Sequence, residues 1–407
     1  MNILLINHYA GSPALGMEFR PYYLAREWVR QGHRVQIVGA TYSHVRARQP
    51  APGAEQLDGI AYRWLATPSY LGNGPGRAWN IWRFLSQLWR QSRALVAQFK
   101  PDVVIASSTY PMDIWVARRI ARMAGAKLVY EVHDLWPLSP IELSGMSPKH
   151  PFIRLCQAAE DAAYRDAAVV ISMLPKVHSH MAGRGLDLRR LHIVPNGIAP
   201  DDWQAQPEPL REDVAQAIAT QRQAGRCVVG YAGSMGLPNA LDVLLDAAKL
   251  LTDTPIAIAI VMVGDGHERQ RLIQRIADEG LANVTWLPPI PKAQVPALLA
   301  SIDIAYIGWQ RVPIYRFGIA PNKLMDYMMA CLPVLHAVEA GNDPVADSGC
   351  GLSVAPESAP ASADGLRRLA ALTPGERQAM GQRGQDYVLA HHSYPVLARR
   401  FIEALTP

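Results

Sequence analysis

The stretch "VVGYAGSMGLPNALDVLLDAAKLL" (228–251) decides how the chain is read. A short β-branched run ends in a small-residue loop, and the loop opens a helix with an apolar stripe. Runs of four or five Val- and Ile-rich residues are short for a helix and suit a strand covered on both faces. The unit recurs. In the first half "ILLI" (3–6), "VQIV" (35–38), "VVIA" (103–106), "LVYEV" (128–132), "VVIS" (169–172) and "HIV" (192–194) alternate with helical patterns. The series resumes with "VVGYAG" (228–233), "AIAIVMVG" (257–264), "VTWL" (284–287), "IDIAYIG" (302–308), "PVLHA" (333–337) and "GLSVA" (351–355). The expected fold class is α/β, with two α/β/α halves, each a parallel sheet covered on both faces, facing each other. The polar, strand-free segment 201–226 between the two series is expected to be a linker running into a short helix.

Composition narrows the function. With 49% apolar and 18% charged residues in 407, the chain is globular. Met1 and Asn2 lead straight into "ILLI", so no signal peptide is expected. The longest apolar run, "PIAIAIVMV" (255–263), is about half a membrane span. Cys156, Cys227, Cys331 and Cys350 have no CxxC spacing and are expected to be reduced core thiols of a cytoplasmic protein. Residues 1–200 hold 23 Lys+Arg against 13 Asp+Glu, and the remainder 17 against 22. A basic first half suits a membrane, a nucleic acid or an anionic substrate.

Ligands of such sheets bind where strands end and helices begin. After the first strand, Gly11, Ser12 and Gly16 form a small-residue loop before a helix carrying Arg20. Such a loop lets backbone N–H groups meet an anion, although an ordinary flexible connection explains it equally. In "YEVHDLWPLSPIEL", Glu131, His133, Asp134 and Glu142 crowd one strand end beside Trp136. His133 and Asp134 are candidates to position an acceptor hydroxyl or stabilise developing charge, and Trp136 to stack on a sugar. A structural His–Asp pair is the alternative. "VPNGI" (194–198) reads as a turn. Gly233 with Ser234, and Gly264 with Gly266, offer two further phosphate-type loops.

The sharpest feature is "GIAPNKLMDYMMACLPVL" (318–335). Pro321 fits a first helical turn and Asn322 a cap. Asp326 near the positive helix end can accept two hydrogen bonds from a vicinal diol, and Lys323 can neutralise a phosphate oxygen. A surface Lys–Asp pair would be worth less than about 1 kcal/mol and would leave the glycine and proline ahead of it unexplained.

In this order, "GMEFRPYYLAREWVRQGH", "HDLWP", "VPNGI", "YAGSMG", "GDGHERQRL" and "APNKLMDYMMACLPVL" resemble the retaining glycosyltransferase family 4. The nearest likeness is to its bacterial capsule, exopolysaccharide and O-antigen branch, including N-acetylfucosamine-transferase-like members. The resemblance implies the GT-B fold, two Rossmann-like doubly wound domains facing an interdomain cleft: an acceptor-binding domain (1–200), a linker and start of the second domain (201–226), a nucleotide-sugar domain (227–385) and a last helix (386–407) returning to the first. It implies retention without a metal or other cofactor. Many members carry two glutamates seven residues apart. The second aligns with Asp326, which would hold the ribose, whereas Gly318 occupies the place of the first. Backbone at Gly318, Ile319, Ala320, Pro321 and Asn322 would then meet the donor. Ser234 and Asn239 stand near the places of the usual diphosphate-binding Arg and Lys, leaving that charge to Lys323, assisted by Arg316 or Arg20. His133 matches the family's first-domain histidine, without being a general base, because the leaving phosphate can take the acceptor proton. Arg20, Trp136 and Glu142 are the acceptor-side candidates.

The implied partners are a nucleotide-diphospho-sugar, expected to be UDP-linked, and a glycan or polyprenyl-linked acceptor. "GRAWNIWRFLSQLWRQSRALVAQFK" (76–100) has tryptophans and arginines at helical spacing, with Trp82 and Trp89 assigned to the apolar face. It suits the inner face of an anionic membrane, or equally a domain helix with a solvated basic side. Nucleic acid fits less well, because no binding module appears and the aromatics look core-like. A GT-B-like 2-epimerase would need acid–base carboxylates in the cleft and no acceptor. A non-catalytic nucleotide-sugar-binding membrane protein is the other alternative.

Overall fold

The computed structural model describes residues 1–16, 19–72, 74–204, 206–252 and 256–406. The chain divides into two units, Met1–Asn196 with Tyr394–Pro407, and Gly197–Ser393.

The first unit's eight-stranded sheet runs β3-β4-β2-β1-β5-β6-β7-β8. Its strands are β1 (Asn2–Ile6), β2 (Arg34–Ala40), β3 (Gly53–Leu57), β4 (Ile60–Leu65), β5 (Val103–Ala106), β6 (Lys127–Val132), β7 (Val169–Ser172) and β8 (Leu191–Ile193). All neighbours are parallel except β3 and β4, an antiparallel hairpin at the edge. That hairpin escapes the search for apolar runs. "GAEQL" has no apolar run, and β3 is largely exposed. Asp58-Gly59 makes the turn, with positive φ at both residues (50° and 78°), as a two-residue hairpin loop demands.

The second unit's sheet runs β11-β10-β9-β12-β13-β14, parallel throughout. It comprises β9 (Cys227–Ala232), β10 (Ile258–Val263), β11 (Val284–Leu287), β12 (Ile304–Gly308), β13 (Val334–Ala337) and β14 (Gly351–Ser353). Apolar clusters from helices pack against this sheet, so its central strands are apolar along their length. Strand order reverses between β1 and β5 and between β9 and β12. The loops leaving those strands are where a doubly wound sheet opens a crevice for ligand.

The short helix expected after the linker is Glu212–Gln223, which buries Val214 and Ile218 in the second unit's core. One expectation changes. The helix Pro374–His392 runs through position 386 and belongs to the second unit, so the segment that joins the first begins only at Tyr394.

The returning helix Tyr394–Leu405 is held by aromatic contact within the first unit. Phe401 meets the buried Trp28 edge-on at 5.0 Å, Tyr394 stacks on Tyr23 at 4.9 Å, and the Trp28 indole N–H donates to the Ala398 carbonyl at 3.3 Å. The helix Pro75–Phe99 buries Ile81, Phe84, Leu88, Leu95 and Phe99. Trp79, Trp82 and Trp89 point outward instead, so the apolar face read from the sequence was too wide and these aromatics are not core residues. Among the described residues no helix is long and apolar enough to cross a membrane. Phe401→Ala is expected to destabilise the first unit by about 3–5 kcal/mol. A lower thermal midpoint in near-UV circular dichroism reads this out, and an unchanged midpoint contradicts the packing described.

Candidate functional site

In the second unit the loops after β9 and β10 pack backbone on backbone. Gly233 (φ 148°) and Gly264 (φ 151°) occupy conformations that side chains rarely adopt. A Cβ on Gly264 would lie 1.9 Å from the Gly233 carbonyl oxygen, and one on Gly266 would lie 2.4 Å from that of Met235. The Met235 N–H donates to Asp265 at 2.8 Å, and the Glu268 N–H to Met235 at 3.0 Å. Glycine is therefore needed here for the loops to approach each other. Ser234 is exposed, and its carbonyl accepts from the Tyr231 hydroxyl (2.5 Å) and the Asn239 amide (3.0 Å).

The segment after β12 reaches the same place. Gly318 turns the chain with φ 106°. The Asn342 side chain then grips Ile319 at both ends, accepting its N–H at 2.7 Å and donating to its carbonyl at 3.1 Å. The helix Asn322–Met329 follows, with Pro321 at its N-cap and no capping side chain. Asn322 is thus the first helical residue and not the cap expected. Tyr327 fixes the helix to the end of β9: its hydroxyl accepts the Ala232 N–H at 3.0 Å and donates to the Ala232 carbonyl at 3.3 Å.

That anchor delivers Lys323 to the loop after β9. Its ammonium donates to the Asn239 side-chain oxygen (2.7 Å) and the Tyr231 hydroxyl (3.0 Å) and lies 4.5 Å from the Tyr231 ring centre. A Cβ on Gly233 would crowd it at 3.3 Å. Among the described residues no carboxylate pairs with Lys323, and burial pushes its pKa down to about 8. Asp326, half-buried one turn on, accepts no hydrogen bond at its carboxylate from any described residue. Burial pushes it up to about 6, with Lys292 pulling down and Asp202 pushing up. The two charges do not form a salt bridge. Each has lost water without gaining a salt-bridge partner among the described residues, the condition of a site prepared for ligand. Arg316 is exposed, donates to the Pro313 carbonyl at 2.6 Å and lies over Phe317.

In the first unit Glu131 is the hub. It takes the Arg20 guanidinium at 2.9 Å and the Ser107 hydroxyl at 2.6 Å, and His133 Nε2 lies 3.3 Å away. Burial pushes its pKa up, but Arg20 and His133 outweigh this and hold it at about 2. Arg20 spends its other donors on the Val194 and Pro195 carbonyls, at 2.9 and 2.6 Å. The expectation that Arg20 meets acceptor or phosphate gives way to a positioning role, because the residue is buried and tied to the turn "VPNGI". His133 Nε2 also lies 2.9 Å from the Ser107 hydroxyl. Asp134 acts as a local cap: one carboxylate oxygen accepts the Leu135 N–H at 2.9 Å and the Ser139 hydroxyl at 2.5 Å. That correction removes Asp134 from the catalytic candidates. Trp136 meets Phe152 edge-on, and the Arg77 guanidinium lies 6.0 Å over its ring. Glu142 is on the short helix Leu138–Ser144. Gly16 (φ 73°) seats its loop against Ala47, while Met17 and Glu18 of the same motif lie outside the described residues.

Ser107, Tyr231 and Asn342 were missed. Nothing near them in sequence reveals partners that lie 24, 92 and 23 positions away. Among the described residues no cluster of His, Cys, Asp and Glu could hold a metal ion, and the four cysteines are unpaired.

The fold is that of the glycosyltransferases of GT-B architecture, and both halves of the sequence match glycosyltransferase domains. Residues 16–197 match the Glycosyl transferase 4-like domain, and residues 226–371 match Glycosyl transferases group 1. Among curated proteins the chain is similar to WcaI of Escherichia coli K12, whose name assigns it provisionally to colanic acid biosynthesis. Identity is 23% over 359 residues, covering 84% of this chain and 86% of WcaI. It also matches the 2-deoxystreptamine glucosyltransferase of Streptomyces kanamyceticus, at 23% over 45% of this chain and 47% of that one. By fold it is similar to sucrose-phosphate synthase of Thermosynechococcus elongatus (TM-score 0.73, 16% identity, covering 100% of this chain and 98% of that one). It is likewise similar to Anabaena HepE (TM-score 0.65, 18% identity, 100% and 99% covered).

Gly264→Ala is expected to force the two glycine loops apart and lower nucleotide-sugar affinity at least about tenfold, the size of one lost charge-assisted hydrogen bond. Gly236→Ala, whose Cβ would meet only ordinary contacts at 3.6 Å and beyond, is expected to retain wild-type binding. Calorimetric titration of both variants checks the contrast.

Proposed function

We propose that the protein transfers a sugar, with retention of anomeric configuration, from a nucleotide-diphospho-sugar to a glycan or polyprenyl-linked acceptor in bacterial surface-polysaccharide assembly. One observation carries the reading: Lys323 and Asp326 sit one turn apart on a helix, desolvated and with no salt-bridge partner among the described residues. An ionised carboxylate with free lone pairs takes the 2′- and 3′-hydroxyls of ribose. A desolvated ammonium held by neutral partners takes diphosphate charge. The backbone from Gly318 to Pro321, fixed by Asn342, lines the donor sugar. HepE has been solved with UDP and glucose, and the E. coli trehalose-6-phosphate enzyme with UDP-2-fluoro glucose, which favours a UDP-linked donor here. The WcaI likeness favours surface polysaccharide, and the sequence resemblance makes N-acetylfucosamine-type donors the first to screen.

In this mechanism the bond from anomeric carbon to β-phosphate oxygen breaks as the acceptor oxygen attacks on the same face. The leaving phosphate takes the acceptor proton. Lys323 stabilises the negative charge that builds on that phosphate, a contribution largest in the transition state. Glu131 and Ser107 orient His133, and the scheme does not use it as a base. The scheme calls for no metal, so turnover is expected to persist in a chelator.

The pH dependence follows from the two shifted groups. Lys323 loses its charge as pH rises through about 8, and Asp326 gains a proton as pH falls through about 6. UDP-sugar affinity is therefore expected to peak between these values. The donor's diphosphate diester does not titrate there. Lys323→Met should remove the alkaline limb and Asp326→Asn the acidic limb, each lowering peak affinity about ten- to a hundredfold. Titration calorimetry across this range decides the matter, and limbs that persist in both variants would sink the assignment.

A further inference from the structure

The helix Pro75–Phe99 presents an outward face that the proposed chemistry does not use. Trp79, Trp82 and Trp89 are 53%, 50% and 46% exposed, and Leu71, just before the helix, is 95% exposed. Large apolar side chains left in water at this density mark an interaction surface. Helical spacing puts Arg83, Arg90 and Arg93 on the same face as the tryptophans. Arg119 of the neighbouring helix Asp113–Ala124 lies over the Trp89 ring at 4.5 Å. Among the described residues none of the three indole N–H groups has a hydrogen-bond partner. Charge is one-sided: between Asp58 and Asp102 the chain has six basic residues and no acidic one.

We propose that this face docks on an anionic lipid bilayer, with the indoles and Leu71 in the headgroup–acyl boundary and the arginines against lipid phosphates. An amphipathic helix with aromatics and arginines lies in that boundary, where a ring can be apolar at one edge and hydrogen-bonded at the other. Other occupants fit less well. Trp79 and Trp82 stack on each other at 4.7 Å and 17°, so each ring has one face already covered and cannot sandwich a base. A two-fold pairing of this surface with a second copy would bring the same arginines together. Leu71 has a use in hydrocarbon and none in base stacking. The proposal extends the lipid-linked acceptor reading without depending on it.

The test is co-sedimentation of the full chain with phosphatidylcholine vesicles, with and without phosphatidylglycerol, alongside indole fluorescence. Binding is expected only with the anionic lipid, with a blue-shifted emission, and is expected to weaken as salt is raised. Arg90→Glu with Arg93→Glu should lower the vesicle partition about tenfold or more, and Trp79→Ser with Trp82→Ser should abolish the shift. Leu250→Ala, an exposed change in the second unit, should match wild type. Protein left in solution with anionic vesicles, or arginine variants that bind like wild type, would overturn the proposal. So would Trp- and Arg-dependent binding to a single-stranded oligonucleotide, or Trp-dependent self-association, in place of vesicle binding. Donor titration on the same samples separates this failure from failure of the glycosyltransfer reading.

Discussion

A lysine moved out of water without a carboxylate to meet it raises the free energy of the folded chain, and the second unit is arranged around that cost. Burial of an ammonium is tolerable when neutral oxygens take its hydrogens, as the Tyr231 hydroxyl and the Asn239 side chain do here. Holding those oxygens in place requires the loop after β9 to be tight, which requires Gly233. Tightness there requires the next loop to press against it, which requires Gly264 and Gly266. The Tyr327 hydroxyl closes the circle by fastening the lysine's own helix to the end of β9. Each glycine thus has a physical reason that leads back to one uncompensated charge.

The first unit solves a related problem in the opposite way. Glu131 is also buried, but Arg20, His133 and Ser107 surround it, and its charge is fully used inside the protein. This network is a frame. It fixes His133 and joins the end of β6 to the turn at Val194 and Pro195. One unit keeps its charge satisfied and rigid, and the other leaves its charge open. Both arrangements are built from charged groups near strand ends.

Parallel central strands were legible because burial on both faces leaves only Val- and Ile-rich runs, and this betrayed both sheets. The β3–β4 hairpin was not, since an exposed edge strand such as Gly53–Leu57 has no apolar period to read. Lys323 and Asp326 could be singled out because a charge pair at a helix start after glycine and proline is locally odd. Arg20 and Asp134 were misjudged for a matching reason: charge in a loop-to-helix stretch looks the same whether it faces ligand or a partner. Arg20's partner lies 111 positions away. The helix Pro75–Phe99 was misread because a wide periodic set admits Trp82 and Trp89, while packing uses only the narrower stripe through Ile81, Phe84 and Leu88.

The helix Tyr394–Leu405 completes the first unit from the far side of the second in sequence. Trp28 and Ala398 are joined across 370 positions, so their contact must wait for nearly the whole chain to leave the ribosome. During synthesis the second unit has all its residues available before the first does. Until the last helix arrives, Trp28 and Tyr23 present a bare aromatic surface on an otherwise formed sheet domain. The protein's order of assembly is therefore not its order of translation, and the period between them is when a chaperone would have most to hold.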